Sequence, residues 1–226
     1  MWLFYPETLI LLIPAFLLAI YAQYRVRSAY AKYLQVPTQR RITAREAAEY
    51  ILRNAGVQDV AIETIRQPLG DHYDPRRKRL RLSAPESTSV AAVGVAAHEA
   101  GHALQHAQGY APLALRSAVV PLAMFGSQLA FPLFFLGLIF QTASLVNIGI
   151  ILFSAAVLFT LVTLPVEFNA SRRALHSLRA LGLVTEGEIS GVREVLTAAA
   201  LTYVASAAMA VAQLLGMLMI AGNRRR

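Results

Sequence analysis

The chain of 226 residues contains no cysteine, and this absence excludes two kinds of site. No disulfide framework can form, and no thiolate can hold a metal ion. Any zinc ion would therefore need His, Asp or Glu ligands. Charged residues are also scarce, at 15% of the chain, and the 13 Asp and Glu are outnumbered by 21 Lys and Arg.

The sequence also lacks the features of a nucleic-acid-binding protein. Its net charge is +8, but it has no recognisable nucleic-acid motif and no repeat that combines aromatic with basic residues. Hydrophobic residues make up 56% of the chain, and the mean hydropathy is +0.49. Such an apolar but basic chain is typical of a membrane protein with basic flanks. We expect a lipid bilayer, and no nucleic acid, among its partners.

Long apolar runs are what the sequence does have, and a run of about 20 residues can span a bilayer. The first run, Leu3 to Tyr24, has no Lys or Arg before it and no small-x-small cleavage site after it, which favours a retained anchor over a signal peptide. Aromatic residues at both of its ends suit the membrane interfaces: Trp2, Phe4, Tyr5, Tyr21 and Tyr24. Three further runs follow: Ala118 to Phe140, Ser144 to Val166 and Thr197 to Ile220.

The segment between the first two runs predicts a small α+β unit. Thr43 to Glu46 is a capping box, and the apolar stripe after it predicts a helix that ends near Gly56. Val57 to Ile65 and Lys78 to Leu82 are predicted strands, separated by the turn-rich loop Gly70 to Pro75. The second strand can be an edge that pairs with an extended substrate, or an edge kept soluble by its basic residues.

The chemistry of this unit centres on the pattern His98-Glu99-x-x-His102. It lies in the run from Val90 to Ala107, which has no proline and predicts a helix, with Ser83 to Glu86 as its expected cap. On a helix the two histidines are one turn apart, about 6 Å along the axis, so both can bind one zinc ion. Glu99 beside them can act as general base towards a water molecule. The alternative is a pair of structural histidines on a buried helix face, but an unpaired carboxylate is costly there.

A zinc site needs a third protein ligand, and the sequence offers several candidates. His106 lies about 12 Å along the helix from His98, too far to share one ion. Glu167 is the better candidate, because it follows the membrane hairpin directly and Pro165 suits a helix start there. Its alternative role is a carboxylate favoured by the positive end of a helix. Candidates by type for stabilising an oxyanion are His72, Tyr73, Arg172 and His176.

Four stretches of sequence resemble the YugP-type family of bacterial membrane zinc peptidases. They are Asp71 to Pro75, Arg79 to Ser83, Ala97 to Gln105 and Leu164 to Ala174. The layout is also similar to HtpX-like and CAAX-prenyl endopeptidases, in which a transmembrane hairpin separates the His pair from a Glu ligand. The resemblance implies a zinc ion bound by His98, His102 and Glu167, with Glu99 as catalytic base. Two positions depart from these patterns: Ser171 stands where HtpX-like chains have Asp, and Asn169 where Asp is expected in YugP-type chains.

We expect a mainly α-helical integral membrane protein with about four transmembrane segments and a small zincin-like α+β unit that carries the His-Glu-x-x-His helix. The predicted parts are an anchor (1–24), a catalytic part (25–116), a hairpin (117–166), a helical part with the third ligand (167–196), and a last transmembrane segment with a basic tail (197–226). Of the 21 basic residues, 18 lie in loops on the side of the site. The positive-inside rule therefore predicts a multi-pass protein of the inner (plasma) membrane with its catalytic part in the cytoplasm. Four crossings would leave Arg224 to Arg226 outside. Either the other basic residues outweigh these three charges, or the last segment does not fully cross the membrane.

The predicted function is that of a gluzincin-like zinc metalloendopeptidase acting on peptide or protein substrates, membrane proteins included. One alternative is a site-2-type intramembrane protease, but the Leu-Asp-Gly segment of that class is absent. Another is a membrane scaffold or assembly factor that keeps a zinc ion for stability. Glu99 and an open fourth zinc position are hard to explain in such a scaffold.

Overall fold

The structure, a computed structural model, describes residues 6–67 and 70–223. The aromatic residues Trp2, Phe4 and Tyr5 and the basic tail Arg224 to Arg226 lie outside the described residues. Six helices and three short strands follow one another within them: α1 (Pro6–Leu34), α2 (Ala44–Asn54), β1 (Ala61–Thr64), β2 (His72–Asp74), β3 (Arg79–Leu82), α3 (Val90–Ala107), α4 (Ala111–Ile139), α5 (Ala143–Ala180) and α6 (Glu186–Asn223).

Four helices are long and apolar enough to cross a membrane, which confirms the expected number of such segments. They are Thr8–Leu34 in α1, Ala111–Ile139, Ala143–Ala180 and Glu186–Gly222 in α6. Large apolar side chains on these helices are exposed, such as Phe16 and Ile20 on α1, and Phe125 on α4. Exposed apolar side chains of this size on a long helix suit contact with lipid rather than with water.

By its contacts the chain divides into two compact units. The first holds the described residues up to Gln23, Ala114–Leu164 and the described residues from Leu201 onward. Within it α4 and α5 approach closely: a Cβ added to Gly126 would lie 2.5 Å from the Leu152 carbonyl oxygen. Aromatic packing joins the same helices, with the Phe131 and Phe153 ring centroids 5.1 Å apart. Small residues that let helix backbones meet are the usual basis of packing within a membrane.

The second unit, Tyr24–Leu113 with Pro165–Ala200, contains the sheet and all the residues of the predicted site. Its core is formed by buried apolar residues of α2, β3, α3, α5 and α6, such as Ile51, Leu80, Val93, Leu178 and Val192. The predicted capping box of α2 is confirmed: the Thr43 hydroxyl accepts from the Glu46 amide, and the Glu46 carboxylate accepts from the Thr43 amide. The bounds predicted for α3 are confirmed as well.

The predicted cap of α3 is wrong, since Ser89 rather than Ser83 to Glu86 caps this helix. The Ser89 hydroxyl accepts a hydrogen bond from the Ala92 amide. The preceding segment is held in a turn by α2, because the amides of Ala44 and Arg45 donate to the carbonyls of Ser87 and Pro85 at 2.9 Å. These long-range bonds use backbone groups that a longer α3 would have needed for itself.

The expectation that the strand from Lys78 to Leu82 forms an edge is also wrong. The sheet order is β1-β3-β2, so β3 is central, parallel to β1 and antiparallel to β2. β2 lies in the segment predicted to be a loop. The turn itself follows β2, where the Asp74 carboxylate accepts hydrogen bonds from the amides of Arg76 and Arg77. Residues 72–74 are a strand because they pair with β3. The sequence could not predict it, since three residues are too few to show the alternation of apolar and polar residues that marks a strand.

Helix α5 does not begin at Pro165 as predicted but runs through it, from Ala143 to Ala180. Proline removes one backbone donor, and long apolar helices tolerate that loss. The helix continues beyond Pro165 because one face of it is buried there. The buried residues are spaced four apart: Val166, Ala170, Ala174 and Leu178. One continuous helix therefore carries Glu167 into the second unit.

Candidate metal centre

The two histidines of the motif lie one turn apart on α3. Their ring centroids are 4.8 Å apart and the rings are nearly perpendicular, at 87°. Both side chains are largely buried, with 13% of His98 and 10% of His102 exposed.

Helix α5 brings Glu167 to both imidazoles, and this carboxylate is only 2% exposed. One oxygen, Oε2, lies 3.2 Å from His98 Nε2 and 3.5 Å from His102 Nε2. The donor atoms of the three residues all lie within 4.8 Å of one another. His98 and His102 lie one turn apart on α3, and Glu167 lies on α5, 65 or more positions later. The fold thus brings the three side chains together.

The distances from Glu167 to the two histidines suit a zinc ion. Zinc binds His nitrogen and carboxylate oxygen at about 2.0–2.2 Å in a tetrahedral arrangement, which places neighbouring ligand atoms about 3.3–3.6 Å apart. The two distances from Glu167, 3.2 and 3.5 Å, agree with that separation. A zinc ion held by these three residues would keep one position free for water or substrate, as catalytic zinc sites require.

Close contact between α3 and α5 allows Glu167 to reach the histidines. A Cβ added to Gly101 would lie 2.6 Å from the Ala170 carbonyl oxygen, far inside normal contact. Gly101 stands between the two histidines, and Ala170 lies one turn after Glu167 on α5. A residue without a side chain at position 101 is therefore needed for the present separation of the two helices.

Glu99 is buried, at 8% exposed, beside the two histidines. Within residues 6–67 and 70–223, no protein group hydrogen-bonds to its carboxylate. Burial lowers the pKa of His102, but hydrogen bonding to Glu167 and the nearby charge of Glu99 raise that pKa by more, so it lies above its ordinary value. The site is electronegative overall, and this favours a bound cation.

The second nitrogen of each histidine also has a partner. His102 Nδ1 lies 3.0 Å from Gln105 Oε1, and His98 Nδ1 lies 3.1 Å from the Ser171 hydroxyl. Ser171, one of the two departures from the family patterns, thus takes a place where Asp was expected. Asn169, the other departure, contacts Gln105 rather than a histidine.

Gln105 was missed in reading the sequence, although the sequence did contain a signal. It stands three residues after His102, so it shares a helix face with that histidine. It is fully buried in an otherwise apolar, alanine-rich helix. A carboxamide in such a place is costly unless its hydrogen bonds are satisfied, so its presence indicates specific partners.

The structure gives other roles to the remaining candidate residues. Burial and the charges of Asp59 and Asp74 raise the pKa of Tyr73 to about 12, so its hydroxyl stays protonated and can donate to His106 Nδ1, 2.9 Å away. His72 Nδ1 lies 2.7 Å from the Gly70 carbonyl oxygen. Four other acidic side chains of the unit have partners outside the His pair: Asp71 with Ser83, Asp74 with the β2–β3 turn, Glu63 with Arg79 and Arg81, and Glu86 with Arg45. Among the hydrogen bonds and ion pairs of the described residues, none joins Arg172 or His176 to the His pair.

The chain is similar to known proteins along most of its length. Residues 8–222 match the protein family described as "Putative neutral zinc metallopeptidase". The chain belongs to this family. It is also 46% identical over 217 residues to "Putative membrane protease YugP" of Bacillus subtilis (strain 168), and the match covers 95% of this chain and 96% of that relative. No solved structure shows a significant match to the chain.

Membership of this zinc metallopeptidase family indicates a membrane-bound peptidase in general terms and implies a zinc ion. The cluster of His98, His102 and Glu167 is a group that can hold that ion. The suspected resemblance to the YugP-type family is confirmed by the length and identity of the match.

Proposed function

We propose that this protein is a zinc-dependent endopeptidase of the cytoplasmic membrane, with His98, His102 and Glu167 as metal ligands and Glu99 as general base. The observation that carries the proposal is the convergence of three ligand atoms within 4.8 Å of one another, with Glu167 3.2 and 3.5 Å from the two histidines, beside a buried carboxylate that has no described hydrogen-bond partner. Such a site is gluzincin-like, because two His from one helix and a Glu from a later helix supply the ligands.

A bound zinc ion would polarise the substrate carbonyl and lower the pKa of a coordinated water towards about 7. Glu99 accepts a proton from the attacking water and gives it to the departing amine. Its burial keeps competing water away from the carboxylate, and the absence of a described protein partner leaves both oxygens able to exchange protons. Ser171 and Gln105 keep the imidazoles from rotating while this occurs.

The substrate is a peptide segment in extended form, because only an extended backbone exposes its carbonyl to a site of this kind. Both β1 and β2 are edges of the sheet, and β2 is joined to α3 by the contact between Tyr73 and His106. Because β3 is the central strand, it cannot pair with a substrate as first expected. β2 can do so, since its outer side has no strand partner among the described residues.

The test uses purified full-length protein in detergent, with a labelled-peptide assay and zinc analysis of the same samples. Glu99→Gln is expected to keep stoichiometric zinc and to lower turnover by at least about 10²-fold, the usual effect of losing a general base. Undiminished hydrolysis by this variant would exclude Glu99 as the base. Wild-type protein that binds zinc but cleaves no peptide would favour a scaffold role instead.

A further inference from the structure

The carboxamide of Gln105 forms three hydrogen bonds within the site. It is fully buried, and its Nε2 lies 2.8 Å from the Val166 carbonyl oxygen and 2.9 Å from Asn169 Oδ1. Its Oε1 lies 3.0 Å from His102 Nδ1. One carboxamide on α3 thus joins a proposed metal ligand to two groups on α5.

The chemistry of the partners fixes the orientation of this carboxamide. A backbone carbonyl only accepts hydrogen bonds, so the NH2 group of Gln105 must face Val166. Arg173 only donates, and its Nε lies 2.7 Å from Asn169 Oδ1. Asn169 must therefore direct its oxygen towards Arg173, and the same oxygen accepts the second hydrogen of the Gln105 NH2 group.

This orientation leaves Gln105 Oε1 as the atom that faces His102. An amide oxygen only accepts, so His102 Nδ1 must carry the hydrogen. The lone pair of His102 is then on Nε2, the nitrogen that faces Glu167. The tautomer that can bind a metal is therefore fixed by a chain of bonds with an obligatory acceptor, Val166, and an obligatory donor, Arg173.

We propose that Gln105 is a positioning residue, which fixes the tautomer and ring orientation of His102 for metal binding, and that Asn169 and Arg173 hold Gln105 in place. The proposal rests on the metal site described under the proposed function. It also assigns a role to Asn169, which occupies a position where a family resemblance predicts Asp. Here an amide oxygen serves as the acceptor, and it acts through Gln105 rather than on a histidine directly.

The two histidines differ in this respect. Ser171 contacts His98 Nδ1 through a hydroxyl, which can donate or accept. Ser171 therefore does not dictate the His98 tautomer, whereas Gln105 does dictate that of His102. Loss of the Ser171 hydroxyl should cost less metal affinity than loss of the Gln105 carboxamide.

The main experiment measures zinc affinity of the detergent-solubilised full-length protein by competition with a chromophoric chelator. Gln105→Met keeps the length of the side chain but removes its hydrogen bonds, and zinc affinity is expected to fall about 10- to 100-fold. The cobalt form should keep the visible spectrum of the wild type, because all three ligands remain. His102→Ala, which removes a ligand, should change that spectrum. A Gln105→Met protein that is less stable without metal but binds zinc like the wild type would overturn the proposal.

A second pair of variants decides the matter if Gln105→Met does not fold, since Asn169 is only half-buried. Asn169→Asp keeps an acceptor for both Gln105 and Arg173 and should bind zinc within about threefold of the wild type or more tightly. Asn169→Leu removes that acceptor and should weaken binding by about tenfold. Equal zinc affinity in these two variants would overturn the proposal.

The matched control is Gln108→Ala, which removes a 2.6 Å contact of Arg173 but neither contact of Asn169. It should leave zinc affinity unchanged, and a loss as large as that of Asn169→Leu would contradict the proposed chain of bonds. The experiment also distinguishes failure of the proposed metal site from failure of the proposed role of Gln105. Wild-type protein that binds no zinc refutes the metal site itself, whereas wild-type binding with unaffected variants refutes only the role of Gln105.

Discussion

At the scale of single residues, burying the carboxylate of Glu167 costs free energy. A carboxylate at 2% exposure loses most of its hydration, which costs several kcal/mol in the absence of compensation. Two imidazoles within 3.5 Å provide part of that compensation, and a divalent cation between the three groups provides more. The proposed metal site would therefore account for the burial of Glu167.

We predict that Glu167→Ala loses zinc as completely as His102→Ala does, because two ligands cannot hold the ion alone. His106→Ala is the matched control: it lies one turn beyond His102 on the same helix, is exposed, and contacts Tyr73. Metal analysis of the purified proteins is the measurement, and His106→Ala should keep its zinc. Stoichiometric zinc in a folded Glu167→Ala protein would mean that the third ligand is another residue.

At the scale of elements, the site depends on how closely α3 and α5 approach each other. Because Gly101 has no side chain, the Ala170 carbonyl oxygen can lie only 2.6 Å from where a Cβ would be. The same pair of helices supplies all three proposed ligands and the bonds of Gln105. Any increase in their separation should therefore move Glu167 away from both histidines together.

Gly101→Ala is predicted to weaken zinc binding more than about tenfold and to destabilise the protein by about 1–3 kcal/mol, the usual cost of overpacking. Backbone atoms of α5 must move, because the new Cβ would lie 2.6 Å from Ala170 O. Gly94→Ala is the control on the same helix, where the nearest atom is a side-chain carbon of Val192 at 3.0 Å. Its cost is offset by the better helix propensity of alanine, about 1 kcal/mol, and it should keep its zinc.

Chelator competition and thermal unfolding of the two proteins in detergent provide the measurement. If Gly101→Ala and Gly94→Ala bind zinc equally well, the separation of α3 and α5 is not what sets the site.

At the scale of the whole molecule, the distribution of charge predicts the orientation in the membrane. The stretches from Arg25 to Arg116 and from Arg172 to Arg193 carry 18 of the 21 basic residues, whereas the connection between α4 and α5 at Gln141 and Thr142 has none. Basic residues near membrane spans favour the cytoplasm, so α4 should leave the cytoplasm and α5 should return to it.

A topology reporter inserted at residue 142 is accordingly predicted to lie outside the cytoplasm. The same reporter inserted in the β2–β3 turn, next to Arg76, should lie inside it and serves as the internal comparison. Cytoplasmic activity at position 142 would show that charge does not set the orientation of this protein.

The sequence by itself determined the features that depend on neighbours within about four residues. The capping box at Thr43, the bounds of α3 and the number of long apolar helices could all be read from it, because caps, helical spacing and hydropathy are local properties. The spacing of His98 and His102 is local in the same sense. For Glu167, the order of segments and a family resemblance supported the choice of third ligand, but neither could supply a distance.

The tertiary structure decided what depends on residues far apart in the chain. Backbone bonds from α2 moved the cap of α3 to Ser89, and pairing with β3 made a strand of a predicted loop. Gln105 acquires its role only because α5 places Val166 and Asn169 beside it, more than 60 positions later. No local pattern shows which carbonyl a buried carboxamide will meet, since that depends on where two helices touch, and here the helices touch at Gly101.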